Sequence, residues 1–166
     1  MRLRFPPGLL KKLIAAGSAG AMGIAIALLG GHDGVEGRRY DPYQDVGGVW
    51  TTCDGITGTD VQRGHHYSDA ECDALLTKHL APVARVVDRA VKVPLDDYTR
   101  AALYSFAYNV GTGAFERSSL LRHLNGGDTA RACDDMRAWV NVNGQRNRGL
   151  VNRREIDRTV CMMGRK

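Results

Sequence analysis

The sequence predicts an α+β fold that is mostly helical, with one small antiparallel sheet near the N-terminus. A length of 166 residues allows one domain with a sizeable core and leaves little room for a second. After residue 68, apolar residues recur at three- and four-residue spacing between capping residues, which is typical of amphipathic helices. Residues 32–58 are instead rich in Gly, Tyr and Asp with short apolar alternations, which favours a hairpin sheet.

The N-terminal stretch LIAAGSAGAMGIAIALLGG, residues 13–31, has the composition of a weak membrane span. Its 19 uncharged residues would form a helix of roughly 28 Å, which just meets a hydrocarbon core of about 30 Å. Eleven of the 19 are Gly or Ala, and only seven are Leu, Ile or Met. At about −0.5 kcal/mol for each large aliphatic residue, insertion gains only a few kcal/mol, so we expect the helix to be metastable in a bilayer.

Charges flank this stretch unequally. His32 and Asp33 follow it, whereas four cations precede it: Arg2, Arg4, Lys11 and Lys12. The positive-inside rule therefore places the N-terminus in the cytoplasm and the rest of the chain outside, with residues 1–31 as a basic flank plus transmembrane segment and residues 32–166 as the globular domain. Three interpretations stay open here: a secretory signal cleaved at an A-x-A sequence (residues 25–27), a permanent anchor, or a releasable anchor.

Helix signals mark the rest of the chain. Ser68 and Glu71 form a capping box, so we expect a helix to begin near Asp69 and to be interrupted at Pro82. The run DDYTRAALYSFAYNVG begins with an aspartate cap and stops at Gly111, which makes it the best candidate for a core helix. Three further helical segments follow: SSLLRHLN, DTARACDDMRAWV and GLVNRREIDRTVCMM.

The cysteines are even in number, occur singly and form no C-x-x-C motif: Cys53, Cys72, Cys133 and Cys161. This pattern favours disulfides, and hence an oxidising compartment such as the bacterial periplasm. Sequence alone allows three connectivities, of which the local pairing (first with second, third with fourth) would stabilise the fold by roughly 3 kcal/mol per bond. The alternative is a zinc site of Cys53, His65, His66 and Cys72. Because this spacing matches no familiar ligand pattern, we expect no metal and no other cofactor.

A formal net charge of +5 and an Arg-rich C-terminal end predict an anionic partner. Nucleic acid and anionic cell-envelope polymers are the two candidates, and export together with disulfides argues against nucleic acid. We expect the arginines to form a solvated face or to draw the protein toward the envelope; they are Arg146, Arg148, Arg153, Arg154, Arg158 and Arg165.

Two carboxyl groups and a hydroxyl lie close together early in the chain. Glu36 and Asp45 flank a turn, and Thr51 follows Asp45. Cleavage of a glycosidic bond needs one carboxylic acid to protonate the leaving oxygen and one carboxylate to attack the sugar or to activate water. Glu36 abuts an apolar stretch and Asp45 lies among polar turn residues, so the two could divide these roles. The simpler alternative is that both are solvated surface acids, because a chain with 18 acids produces such a spacing easily by chance.

Three motifs in order resemble the phage-type lysozymes of glycoside hydrolase family 24, over roughly residues 33–163. They are Glu36, Asp45 and Thr51 within VEGRRYDPYQDVGGVWTTCDG, then YSFAYNVGTGAF, then GLVNRREIDRTVC. The resemblance implies a mostly helical, two-lobed fold that hydrolyses the β-1,4 bond between N-acetylmuramic acid and N-acetylglucosamine in bacterial peptidoglycan. It also implies that Glu36 is the general acid, that Asp45 positions or activates a water, and that Thr51 helps to hold this water. We expect a monomer.

The same family places an aromatic residue and an amide along its saccharide cleft, where this chain has Tyr108 and Asn109. An amide suits N-acetyl groups because it both donates and accepts hydrogen bonds. Alternatively, Tyr108 packs in the core and Asn109 caps its helix. Trp139 lies on an amphipathic pattern, so we expect it in the core rather than against sugar. The chain departs from many relatives at Ile56, where they carry a histidine.

The weak span, joined to Glu36 by only a few residues, resembles that of the signal-arrest-release endolysins. This resemblance favours the releasable anchor, with the protein tethered to the host inner membrane and its catalytic domain in the host periplasm. We therefore expect that on release the segment refolds against the domain and brings Glu36 to Asp45 and Thr51. Some members instead exchange disulfides with an anchor cysteine, but residues 1–31 contain none. A rival interpretation is a tethered module that binds peptidoglycan without cleaving it.

Overall fold

The computed structural model describes residues 5–6 and 8–165, and Arg2 and Arg4 of the basic flank lie outside them. Within the described part of the chain, the segment Leu9–Leu29 is long and apolar enough to cross a membrane, by length and composition alone. It covers most of the stretch for which the sequence predicts a weak span.

This segment is not one straight helix. It forms α1 (Leu9–Ala15) and α2 (Gly20–Leu29), which are joined by a 3₁₀ turn (Ala16–Ala19). Gly20, at the joint, has a φ of 69°, a left-handed conformation that glycine adopts without strain. The side chains that α2 buries completely contribute to the main hydrophobic core: Ile24, Ala25, Leu28 and Leu29.

A three-stranded antiparallel sheet follows, as the sequence predicts. Its strands are β1 (Arg39–Gln44), β2 (Trp50–Cys53) and β3 (Ile56–Thr57), in that order across the sheet. Thr51 pairs with Thr57 and so lies on the middle strand. The alternation of β-branched and aromatic residues with tight Gly-containing turns explains why a hairpin forms here rather than a helix.

Helix α3 (Asp69–Ala90) begins at the predicted capping box. The Ser68 hydroxyl accepts from the Glu71 N–H at 3.3 Å, and the Glu71 carboxylate accepts from the Ser68 N–H at 2.8 Å. The predicted interruption at Pro82 is wrong, since the helix continues through it. Pro82 is exposed, so water can bind the carbonyl group that lacks its helical N–H partner. Buried residues on both sides of the proline hold the helix in place: Leu76, Leu80, Ala84 and Val87.

The predicted core helix is α4 (Asp97–Val110), which Asp96 caps and which ends before Gly111. It packs against α2 and against α8 (Arg148–Met163), and so occupies the centre of the core. Between α4 and α8 lie three short helices and a hairpin: α5 (Thr112–Glu116), α6 (Ser119–Asn125), α7 (Thr129–Asp135), β4 (Asn141–Val142) and β5 (Gln145–Arg146). The sequence does not predict α5 or the hairpin, because each is too short to show a period. The mostly helical α+β class is confirmed.

Two disulfides join distant elements. Cys53–Cys72 connects β2 to α3, and Cys133–Cys161 connects α7 to α8. This is the local pairing among the three that the sequence allows, and it leaves no thiolate for the alternative zinc site. Ile56 is fully buried beside the first disulfide and fills a small apolar cluster there.

Candidate active site

The backbone of Glu36 is held by the C-terminal end of α2. The Val35 N–H donates to the Leu28 carbonyl at 2.9 Å, and the Glu36 N–H donates to the Leu29 carbonyl at 3.4 Å. Carbonyls in the last turn of a helix have no helical partner, so these bonds satisfy them. Gly34 permits the turn back, because a Cβ there would lie 2.2 Å from the Leu29 oxygen. The apolar segment therefore fixes the position of Glu36 directly.

The Glu36 carboxylate is paired with an arginine from the other end of the chain. Its Oε1 accepts from Nη1 of Arg153 on α8 at 2.5 Å, and the Glu36 and Arg153 side chains are 16% and 8% exposed. The second terminal nitrogen, Nη2, donates to the Ser105 carbonyl on α4 at 3.3 Å. Oε2 lies beside Gly55 in the turn between β2 and β3, where an added Cβ would be 3.2 Å from it. One Glu36 oxygen is thus fixed by a cation, and the other faces a residue without a side chain.

Asp45 lies in the turn between β1 and β2. Its Oδ1 accepts from the N–H groups of Gly47 at 2.8 Å and Val49 at 2.9 Å, while its own N–H donates to the Val49 carbonyl at 2.9 Å. Such a turn, closed by an aspartate on its own backbone, fixes the carboxylate without any ion pair. Within the described residues no hydrogen-bond partner of Oδ2 is found, so this oxygen is open to a ligand or a water.

Thr51 is linked to Asp45 through the same neighbour. Its Oγ1 donates to the Val49 carbonyl at 3.1 Å, and the residue is 5% exposed. A hydroxyl that donates its one proton keeps its lone pairs for an incoming donor. Asp45 and Thr51 therefore present two acceptor oxygens that a single residue, Val49, holds in place.

Tyr108, on α4, contacts the turn between β2 and β3 that borders Glu36. Its hydroxyl donates to the Asp54 carbonyl at 3.2 Å. Burial raises the pKa of Tyr108, and the negative charges of Glu36 and Asp54 raise it further, against a smaller opposing effect of Arg153. The tyrosine is therefore a neutral group at neutral pH.

Asn109 is the next residue on α4. Its Oδ1 accepts from Nη2 of Arg154, and it lines a cleft of about 340 Å³ together with Trp139 and Leu150. Trp139 is half-buried, and its ring meets that of Phe106 edge-on with centroids 5.5 Å apart. Trp139 thus packs on the core, as predicted, and also borders this cleft.

The sequence does not predict the buried ion network behind the site. Arg153 and Arg154 are only 7% and 1% exposed, so the expectation of a solvated arginine face is wrong for these two. Arg154 donates to Asp157 at 2.6 Å, and Asp157 also accepts from the Ser105 hydroxyl at 2.7 Å. The spacing of residues could have indicated that Arg153 is buried, since positions 153, 157 and 160 lie on one face of the helix and Val160 is buried. Of the six C-terminal arginines, Arg146, Arg148 and Arg165 are exposed, and Arg158 is half-buried.

A family model described as phage lysozyme matches residues 33–157 of the chain. The chain belongs to the phage lysozyme family. Its relatives include SAR-endolysins: that of Enterobacteria phage PA-2 is 49% identical over 164 residues, and that of Enterobacteria phage P21 is 48% identical over 164 residues. Each comparison covers 97% of this chain and 99% of the relative. Among solved structures, the active form of the P1 phage endolysin Lyz has a TM-score of 0.73 at 26% identity, covering 99% of this chain and 97% of that one.

As a phage lysozyme, the chain is a glycoside hydrolase. The family match begins just after the apolar segment and contains all the candidate site residues: Glu36, Asp45, Thr51, Tyr108 and Asn109. The alignments with the SAR-endolysins cover nearly the whole chain, so they include the apolar segment as well. These relatives therefore share both the lysozyme domain and the segment that precedes it.

Proposed function

We propose that this phage lysozyme is a signal-arrest-release endolysin, which hydrolyses the β-1,4 bond between N-acetylmuramic acid and N-acetylglucosamine of host peptidoglycan and so lyses the cell. The reaction needs two carboxyl groups and a water, with no cofactor. The observation that carries the proposal is the pair of backbone hydrogen bonds by which Leu28 and Leu29 hold Val35 and Glu36. Through them, the apolar segment and the catalytic acid form one structural unit.

Glu36 is the general acid. Because Arg153 binds Oε1, the other oxygen, Oε2, presents the proton to the glycosidic oxygen as the C–O bond breaks. Gly55 leaves space for the saccharide at this oxygen, since it has no side chain to fill it. The hydrogen bond from Arg153 to Oε1 keeps the carboxyl group oriented both before and after it gives up the proton on Oε2.

Asp45 and Thr51 act on the attacking water. Oδ2 of Asp45 takes the proton of the water while Oδ1 stays bound to two N–H groups, and Oγ1 of Thr51 accepts a second hydrogen bond from the same water. The water then attacks the anomeric carbon from the face opposite the leaving group. Such an inverting reaction needs the two carboxyl groups about 6.5–9.5 Å apart.

Tyr108 and Asn109 bind the substrate. Tyr108 contacts the turn that borders Glu36, and it offers a ring face and a neutral hydroxyl to the saccharide. Asn109 uses Oδ1 to bind Arg154, so its amide N–H₂ group is the part that can donate to an N-acetyl carbonyl.

Before release, residues 13–31 span the host inner membrane with the N-terminus in the cytoplasm, and residues 32–166 lie in the host periplasm. In that state Leu28 and Leu29 lie in or at the bilayer, so their carbonyls cannot receive the N–H groups of Val35 and Glu36. The many Gly and Ala residues weaken insertion of the span, so that it can leave the lipid. Their small side chains also allow the helix to pack closely against protein. Refolding of the segment then brings Glu36 to Asp45, and the released monomer is active.

Lysis of outer-membrane-permeabilised Gram-negative cells by the purified full-length protein tests this function. We expect the wild type to release muropeptides with reducing-end muramic acid, identified by mass. Glu36→Gln should be at least about 100-fold slower, because it removes the proton donor. Glu116→Gln, an exposed position on α5, is the matched control and should lyse like the wild type.

Equal lysis by Glu36→Gln and wild type would show that Glu36 is not the acid, and would favour a module that binds or disrupts the envelope without hydrolysis. Lysis that depends on Glu36 but yields no reducing-end muramic acid would keep the acid and change the bond that is cleaved.

A further inference from the structure

One peptide group lies between the end of α2 and the chain that leads to Glu36: the group that joins Gly30 to Gly31, here called the hinge peptide. Its carbonyl oxygen, on Gly30, accepts from Nζ of Lys12 at 2.6 Å. Its N–H, on Gly31, donates to Oδ1 of Asp54 at 3.2 Å. Side chains therefore bind both polar atoms of the hinge peptide, one from the basic flank and one from the lysozyme domain.

Asp54 is a fixed partner for the hinge peptide. It is fully buried, and Nε and Nη2 of Arg38 donate to its carboxylate at 3.1 Å and 2.7 Å. Its carbonyl accepts from the hydroxyl of Tyr108 at 3.2 Å. The next residue in the chain is Gly55, which lies beside Glu36. The N–H side of the hinge peptide is thus tied to the same turn that borders the catalytic acid.

Lys12 is different, because it comes from the far end of the apolar segment. It is the last charged residue before the apolar run and lies on α1, eighteen residues from Gly30. In a straight helix, a separation of that length corresponds to about 27 Å. In this structure the Lys12 Nζ and the Gly30 oxygen are 2.6 Å apart. The contact therefore requires the folded-back segment, and a membrane-spanning helix excludes it.

We propose that Lys12 is a positioning residue for Glu36, and that its bond to the hinge peptide is a latch which closes only after the segment has left the bilayer. This role rests on the proposed function, since it needs Glu36 as the acid and a segment that refolds. Gly30 is the C-terminal capping residue of α2, where the helix dipole favours a cation. By fixing the direction in which the chain leaves α2, Lys12 sets how Val35 and Glu36 return to the carbonyls of that helix.

The space around the hinge peptide is shaped for this latch. An added Cβ on Gly30 would lie 2.8 Å from the Leu76 side chain and 3.3 Å from Nη2 of Arg38. Gly31 has a φ of 78°, and an added Cβ there would lie 3.1 Å from Nζ of Lys12. Glycine at both positions lets the backbone approach the ammonium group closely. Lys12 thus has two successive uses: a cytoplasmic flank charge before release, and a hydrogen-bond donor in the active site's support afterwards.

A comparison of Lys12→Met with Lys11→Met in the released full-length enzyme tests the latch. Both variants remove one flank charge, so their effects on export and membrane topology are matched. Lys11 is exposed, and among the residues that the structure describes it has no hydrogen bond or ion pair. We expect Lys12→Met to lower kcat by roughly tenfold and to change KM by less than about twofold, because it misplaces the acid without touching the substrate. Lys11→Met should keep the wild-type kcat and KM.

Hydrogen exchange gives a second readout that does not depend on catalysis. The amides of residues 28–36 should exchange faster in Lys12→Met than in the wild type or Lys11→Met, while those of α4 and α8 stay protected. Lys12→Arg keeps a cationic donor and should restore at least half of the wild-type kcat. If circular dichroism shows that Lys12→Met does not fold, Lys12→Arg decides: a folded Lys12→Arg with a low kcat overturns the latch.

Equal kcat values for Lys12→Met and Lys11→Met also overturn it, whether both are normal or both are low. Glu36→Gln should be measured in the same series, because it distinguishes failure of the proposed function from failure of the latch alone. If Glu36→Gln is as active as the wild type, the proposed function itself fails. If Glu36→Gln is inactive while Lys12→Met is fully active, only the latch fails.

Discussion

At the scale of single residues, Gly55 shows that the site depends on the absence of a side chain. Its φ of 82° strains any other residue, and an added Cβ would lie 3.2 Å from Oε2 of Glu36. We expect Gly55→Ala to lower the free energy of unfolding by about 1–2 kcal/mol through backbone strain. It should also lower kcat by roughly tenfold or more, because the methyl group displaces the acid. Thermal unfolding and the lysis rate of purified protein measure the two effects.

Gly64→Ala is the matched control for this prediction. Gly64 has a φ of 80°, but nothing lies within 4 Å of an added Cβ there. Its substitution should therefore produce the same backbone strain without crowding Glu36, and leave kcat unchanged. If both variants lost activity in proportion to stability, general destabilisation and not displacement of the acid would be the cause.

At the scale of elements, the start of α3 should carry a measurable pH dependence. The pKa of Glu71 is lowered from its ordinary 4.5 to about 2, first by the backbone N–H of Ser68 and then by the Ser68 hydroxyl and His65. Because the pKa is lower in the folded state, this charge stabilises the fold fully above about pH 4.5, and the contribution is lost as the pH falls toward 2. Glu71→Gln should thus lower the midpoint of thermal unfolding at pH 6, and lower it less and less below pH 4.5. Glu116→Gln serves as the control, and a gap that stays constant down to pH 2 would contradict the assignment.

The same elements show where sequence reasoning succeeds. Caps act through neighbouring backbone groups, so Ser68, Asp96 and Gly111 mark helix ends that the structure confirms. The turn between α1 and α2 packs instead against a residue far away in the sequence. An added Cβ on Gly17 would lie 2.8 Å from the hydroxyl of Tyr98, a residue on α4. No pattern within residues 13–31 reveals that contact, and a straight span was the natural expectation.

At the scale of the whole molecule, the candidate site also combines residues that the sequence identifies with a distant partner that it does not. Glu36, Asp45 and Thr51 could be named from sequence because they lie close together in the chain and match a family motif. The partner of Glu36, Arg153, is 117 residues away. Sequence reasoning places a charged side chain on a terminal helix in solvent unless its partner is known. The roles assigned to the five site residues stay predictions, and the structure adds the neighbours through which each role can be tested.

Reduction of the disulfides separates refolding from thiol exchange as the route to activity. Residues 1–31 contain no cysteine, and both disulfides lie within the lysozyme domain, joining β2 to α3 and α7 to α8. If refolding of the segment activates the enzyme, dithiothreitol cannot raise activity and can only weaken the domain, by roughly 3 kcal/mol for each bond lost. Lysis by the membrane-bound and the released fractions, each measured with and without dithiothreitol, checks this. We expect the reductant to leave the membrane-bound fraction inactive and not to raise lysis by the released fraction. Thermal unfolding of the released fraction, measured separately, should show a lower midpoint with the reductant. A double substitution, Cys133→Ala with Cys161→Ala, should be released normally and unfold at a lower temperature than the wild type. Strong activation by dithiothreitol would contradict the refolding route, because it would mean that a disulfide, and not the position of the segment, holds the enzyme inactive.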